Sequence, residues 1–253
     1  MSVRHWGQGD APALLLHCTL AHGGAWAGLA RHLGERLSMV APDLLAHGAG
    51  PAADPSRDFH DQATEAAARH LPDRPAHLIG HSFGATVALR LALDAPERVR
   101  SLILFEPVLF CAANGPGRAA HDAHFATLPA AMAAGDLAQA GRVFLDLWGA
   151  EGFDGLPDAQ QAYVTKRIWI PQATEPALVG DRADILARLP KLQIPTLLMQ
   201  GGDAPPVVAE INARLAADLP NATRSTIVGA GHMAPLTHPA QAAAAITRFL
   251  DTL

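Results

Sequence analysis

Ser82 stands in Gly80-His81-Ser82-Phe83-Gly84, where the apolar run "AHLIG" (76–80) gives way to the helix-forming stretch "FGATVALRLALDA" (83–95). A serine hydroxyl is a weak nucleophile unless a base takes its proton. A glycine two places to each side lets the chain turn sharply between strand and helix, because a side chain there would collide with neighbouring backbone. Such a turn lifts the hydroxyl to the carboxyl edge of a sheet, above a helix N-terminus that favours negative charge. The plain alternative is a strand-to-helix turn without chemistry, so the partners have to decide.

The chain carries 13 histidines. The bland reading for most of them is surface or structural. His232 in "VGAGHMAPLTHP" is the candidate base, because it follows the last predicted strand on a loop of small residues. His238 is the weaker candidate, since it begins the final helix. His121 and His124 have i, i+3 spacing, but no third ligand is suitably placed, so no metal site is predicted.

The third partner is a carboxylate that orients the imidazole and stabilises its cation. Asp203, in "MQGGDAPP", and Glu106, in "LILFEPV", both follow predicted strands. Open α/β sheets place their sites at such carboxyl ends. The oxyanion of a tetrahedral intermediate needs two N–H donors. The backbone N–H of Phe83 is one, and the other is assigned to Thr19 in the loop "LLLHCTLAHGGAW". Cys18 in the same loop reads as a small packing residue.

Elements that could position these groups follow in order. Predicted strands are 13–18, 38–44, 76–80, 99–107, 194–203 and 223–232. Helices are predicted at 25–37, 58–71 (capped by Ser56), 83–95, 207–220 and 240–253. This alternation implies α/β architecture: a mostly parallel, doubly wound sheet with right-handed crossovers. Residues 109–190 break the rhythm, with helical patterns and no convincing strand, and read as a helical cap inserted between core segments 1–108 and 191–253.

The composition is 49% hydrophobic and 17% charged over 253 residues, which is globular. A net charge of −5 and the lack of basic-aromatic runs speak against nucleic acid as a partner. No signal peptide or membrane span is read, and two cysteines suit a reducing, cytoplasmic compartment. No G-x-G-x-x-G follows a strand, and no cofactor is expected.

"LLLHCTLAHGGAW", "APDLLAHGAG", "GHSFG" and "GAGHMAPLTHP" together resemble the α/β-hydrolase superfamily across nearly the whole chain. Their order is similar to that of small capped esterases, haloperoxidase-like members and C–C hydrolases. Either carboxylate gives the order nucleophile, acid, histidine that this fold uses. Four departures stand out. Cys18 and Ala46 occupy places that usually hold glycine, and one early antiparallel strand is missing. Relatives read Gly-x-x-Asp in the acid turn, which puts Ala204 where the aspartate belongs and Asp203 one place early. The reading leans to Asp203, because a turn can absorb one residue, with Glu106 kept open.

The resemblance implies hydrolysis through an acyl-enzyme on Ser82. The expected small-molecule substrate is a carboxylic ester of modest apolar character, with Phe144, Leu147, Trp148, Phe153, Trp169 and Ile170 as candidates for the pocket wall. Cleavage of a C–C bond in a β-diketone-like compound is the alternative with the same residues. A catalytically silent ligand-binding member of the fold is the alternative from another class.

Overall fold

A computed structural model of the chain describes residues 2–253. Seven strands form one sheet in the order β1-β3-β2-β4-β5-β6-β7. They are β1 (Val3–Trp6), β2 (Ala11–Leu16), β3 (Leu37–Pro42), β4 (Ala76–His81), β5 (Val99–Phe105), β6 (Thr196–Gly201) and β7 (Ala222–Ile227). Only β1 runs antiparallel, against β3. Its four residues escaped the sequence reading because an edge strand so short carries almost no periodicity.

The central strands are apolar on both faces, as parallel strands covered by helices must be. Leu14, Leu16, Leu78, Leu102, Leu104 and Leu198 pack on one face. Ala13, Leu15, Ile79, Ile103, Leu197 and Met199 alternate onto the other. Helices α1 (Ala27–Leu33) and α12 (Pro239–Leu250) cover the second face. Helices α2 (Phe59–Ala68), α3 (Phe83–Asp94) and α10 (Pro206–Asp218) cover the first. Asp58, not Ser56, caps α2, its side chain accepting from the Asp61 N–H. The Ser56 hydroxyl is instead turned to Asp54, at 2.7 Å.

Between β5 and β6 lie α4 (Pro116–Phe125), α5 (Leu128–Ala133), α6 (Leu137–Trp148), α7 (Asp158–Arg167), α8 (Ile170–Leu178) and α9 (Ile185–Arg188). Leu128, Ala140, Val143, Phe153, Val164 and Ile168 form a separate apolar cluster inside this segment. A single-turn α11 (Ala234–Thr237) precedes α12. No helix is long and apolar enough to cross a membrane among the described residues.

Ala46 adopts φ 60°, the left-handed region that costs an L side chain about 1–2 kcal/mol. Glycine removes that strain but adds freedom to the unfolded chain. Ala46→Gly is therefore expected to stabilise the protein by about 0.5 kcal/mol, a rise in Tm of roughly 1–2 °C in a thermal melt.

Candidate active site

Parallel pairing brings the strand ends into line. Leu16 lies opposite Gly80, His81 opposite Phe105, and Phe105 opposite Met199. The residues that follow β2, β4 and β5 therefore emerge along one sheet edge, and these include Thr19, Ser82 and Glu106.

Ser82 has φ 55° and ψ −119°. Such a backbone costs about 1–3 kcal/mol and needs its surroundings to hold it. The Ser82 N–H donates to the Phe105 carbonyl at 2.8 Å, tying the turn to β5. A Cβ on Gly80 would sit 2.4 Å from the Ala85 Cα, and one on Gly84 would sit 2.2 Å from the Leu16 carbonyl oxygen. Both glycines are therefore sterically required. The N–H groups of Thr19 and Phe83 donate to no protein acceptor among the described residues.

Of the two candidate carboxylates, Glu106 is the one that meets His232. Its Oε2 lies 2.6 Å from His232 Nδ1, and its Oε1 accepts from the Gly201 N–H at 2.6 Å. Glu106 is fully buried, at φ 44°, just past the end of β5. Asp203 is solvent-exposed, and its amide donates to the Ala230 carbonyl. Its carboxylate makes no hydrogen bond among the described residues, so the lean toward Asp203 does not match the geometry. The turn does not absorb the one-residue offset, because Gly201 is held by Glu106 and packed on Ala230: a Cβ there would lie 2.1 Å from the Ala230 oxygen.

His81, beside the serine, is a partner the sequence did not reveal. Its Nε2 lies 2.9 Å from the His232 carbonyl and must donate to it. Burial, and then the neighbouring His232, hold the His81 imidazole well below its ordinary pKa, so it is neutral. It fixes the backbone of the loop that carries His232. His17 acts similarly on the first loop. Its Nε2 accepts from the Leu44 N–H at 2.9 Å, so Nδ1 carries the proton and donates to the Cys18 carbonyl at 2.8 Å. Burial, with His47 nearby, lowers its pKa to about 3. Burial pushes the Cys18 thiol up to about 12, which leaves it protonated and a poor nucleophile.

Two cavities meet at Ser82, Thr19, Phe144 and Trp148. The first, of about 300 Å³, runs among Phe110, Phe125, Leu128, Met132 and Leu178. The second, of about 1020 Å³, is wider and more polar, with His22, Arg31, Gln160, Tyr163 and His232 in its wall. The Trp148 ring stands edge-on to His232, centroids 4.5 Å apart. No hydrogen bond joins Ser82 to His232 among the described residues, but both face the second cavity. Catalytic hydrogen bonds are often long without substrate.

Of the candidate pocket residues, Phe144 and Trp148 line both cavities. Trp169 lines neither: it is 38% exposed and packs on Phe59, ring centroids 5.6 Å apart. Leu147, Phe153 and Ile170 also lie outside both cavity walls, Phe153 because it fills the apolar cluster among the helices after β5. Missed in their place were Phe110, His121 and Phe125; His121 stacks on Phe110 at 4.2 Å. The available signal was the i, i+4 spacing of His121 and Phe125 on α4.

The chain is similar to several known proteins. Lipase LipV of Mycobacterium tuberculosis is 39% identical over 111 residues, 43% of this chain and 42% of that protein. The pimeloyl-[acyl-carrier protein] methyl ester esterase of Aeromonas hydrophila is 28% identical over 265 residues, covering 99% of both chains. An alpha/beta hydrolase structure from Sphaerobacter thermophilus superposes with a TM-score of 0.73 at 22% identity, covering 98% of this chain and 95% of that one. A family described as alpha/beta hydrolase fold matches residues 12–239. With sheet, turn and match in agreement, this chain belongs to the alpha/beta hydrolase fold family.

Proposed function

We propose that the protein is a serine carboxylic-ester hydrolase working through an acyl-enzyme. Ser82 is the nucleophile, His232 the base and Glu106 the orienting acid. The observation that carries this reading is the 2.6 Å contact between Glu106 and His232 Nδ1 behind a strained Ser82 turn. Since Glu106 accepts from Nδ1, the Nε2 of a neutral His232 is left with its lone pair, free to take the serine proton.

In the first half-reaction Ser82 Oγ bonds to the ester carbonyl carbon and its proton passes to His232. The carbonyl oxygen becomes an oxyanion, received by the N–H groups of Thr19 and Phe83. Each such donor typically contributes about 3 kcal/mol. The carbon–oxygen bond then breaks, and His232 returns the proton to the departing alcohol. In the second half-reaction a water molecule gives its proton to His232 and attacks the acyl-enzyme. The acid leaves as Ser82 recovers its hydrogen.

Residues 109–190 act as a cap in this reading. The narrow apolar cavity takes the acyl group, and the wider, more polar one takes the alcohol. A short to medium aliphatic or aryl acyl chain fits the aromatic and leucine wall. Small-molecule esters are the substrates, and unpaired Cys18 and Cys111 fit a reducing, cytoplasmic setting.

A fluorophosphonate probe is expected to label Ser82 and abolish turnover of short-chain nitrophenyl esters, with Ser82→Ala unlabelled by peptide mass. Folded wild-type protein that takes no label would sink the reading.

A further inference from the structure

Tyr163 and Arg167 lie one turn apart on α7 and reach down to two loops at the carboxyl edge of the sheet. The Tyr163 hydroxyl donates to the Ala21 carbonyl at 2.8 Å and accepts from the Gly48 N–H at 2.9 Å. Arg167 lies over the Tyr163 ring, 3.8 Å from its centroid. Its Nε donates to the Ala46 carbonyl at 3.1 Å, and its Nη2 reaches the Gly48 carbonyl at 3.5 Å.

Both loops are held in conformations they would not adopt alone. Leu20, between Thr19 and Ala21, has φ 62°, and Ala46 has φ 60°. Non-glycine residues persist there only when their surroundings over-determine them. The first loop is fixed at its start by His17, which donates to the Cys18 carbonyl. Beyond the strained Leu20, Tyr163 holds the Ala21 carbonyl, while the Ala21 N–H donates weakly back to the Cys18 carbonyl at 3.3 Å and the Gly23 N–H to Asp43. The second loop is fixed on its core side by Asp43, whose Oδ2 accepts from the Ala49 N–H at 2.9 Å. Asp43 also bridges the loops, its Oδ1 accepting from the Gly23 N–H at 2.8 Å, so Tyr163 is a second fastening between them and the one that holds the Ala21 carbonyl.

We propose that Tyr163 is a positioning residue that sets the Thr19 N–H for the oxyanion through the Ala21 carbonyl, and so couples helix α7 to catalysis. This rests on the serine-hydrolase reading above. Without the phenolic hydroxyl, Leu20 can relax toward an ordinary backbone, and the Thr19 N–H turns away from the place where charge develops. The substrate carbonyl gains little from that donor before attack, so the loss falls on kcat rather than KM. Gln160, Tyr163 and Val164, all on α7, line the wider cavity. A bulky alcohol group seated there presses on the same helix that holds the donor.

Tyr163→Phe keeps the ring beneath Arg167 and removes only the hydroxyl. We expect kcat on a nitrophenyl ester to fall by about tenfold, with KM within twofold of wild type. The chain has a single tyrosine, so 3-fluorotyrosine incorporation gives one fluorine resonance, at position 163. It is expected to shift when a fluorophosphonate modifies Ser82 and places its phosphoryl oxygen at the Thr19 N–H. A folded Tyr163→Phe with kcat within twofold of wild type, or an unmoved resonance on fully labelled wild type, overturns the proposal. If the variant does not fold, the wild-type resonance decides. Wild-type protein that neither turns over esters nor takes the probe defeats the serine-hydrolase reading itself, a result distinct from turnover without coupling.

Discussion

Glu106→Gln is expected to lower kcat for ester hydrolysis by about four orders of magnitude, whereas Asp203→Asn leaves it within a factor of three. The Gly201 N–H demands an acceptor and already takes Oε1 of Glu106. In the variant the amide oxygen keeps that place, and the amide nitrogen then faces His232 Nδ1. A donor there forces the imidazole proton onto Nε2, the atom that receives the proton of Ser82 in the proposed mechanism. The cost lies in the tautomer and in the lost stabilisation of the imidazolium. Side-chain size is almost unchanged, so melting temperature and circular dichroism separate this from misfolding. If Asp203→Asn proves the slow enzyme and Glu106→Gln the fast one, the assignment from geometry is wrong.

Why this choice was not legible in the string is physical. Both carboxylates follow strands, and both satisfy the chain order. Deciding between them requires the φ of 44° that turns Glu106 inward, and the Gly201 N–H that waits for it one strand away. Neither is a local property of residues 104–108. By contrast the turn around Ser82 was readable, because the glycine, serine, glycine spacing is itself local and Gly80 answers to a clash with Ala85 five residues on, although Gly84 answers to Leu16 on a neighbouring strand. The helices between β5 and β6 were legible as helices, but the faces they turn inward were not. Trp169 and Trp148 look alike in sequence, and only packing sends one to Phe59 and the other to His232. The cap of α2 fell to Asp58 rather than Ser56 because both are good capping residues and the helix begins one residue after Asp58.

The second large effect is loss of stability in mild acid. Burial is the leading cause that lowers His17 to about 3, and His47, His60 and His77 to about 4. In the unfolded chain each titrates near 6.5. A folded value below the unfolded one means that the unfolded state binds more protons as pH falls below 6.5. The stability these groups contribute is thus fully present above that pH and is lost on the way down toward 4. With four such groups, stability falls by roughly 5 kcal/mol for each pH unit between 6 and 4.5. Domains have only about 5–15 kcal/mol in total, so the protein is expected to unfold within about two units below pH 6.5. His81 acts in the same direction. Urea midpoints at pH 7.0, 6.0 and 5.5 measure the slope, with circular dichroism as the signal. A midpoint that stays constant over that range contradicts the buried, neutral state of these rings.

The two glycines that frame Ser82 lead to a different kind of conclusion. A methyl group at either place would be driven into the Ala85 Cα or the Leu16 carbonyl, whatever residue stood at 82. They belong to the architecture of the crossover rather than to bond breaking. A descendant that abandoned hydrolysis and replaced its serine would still be obliged to retain them. In such a chain the paired glycines would report the crossover's geometry alone, and only the residue between them would report enzymatic work.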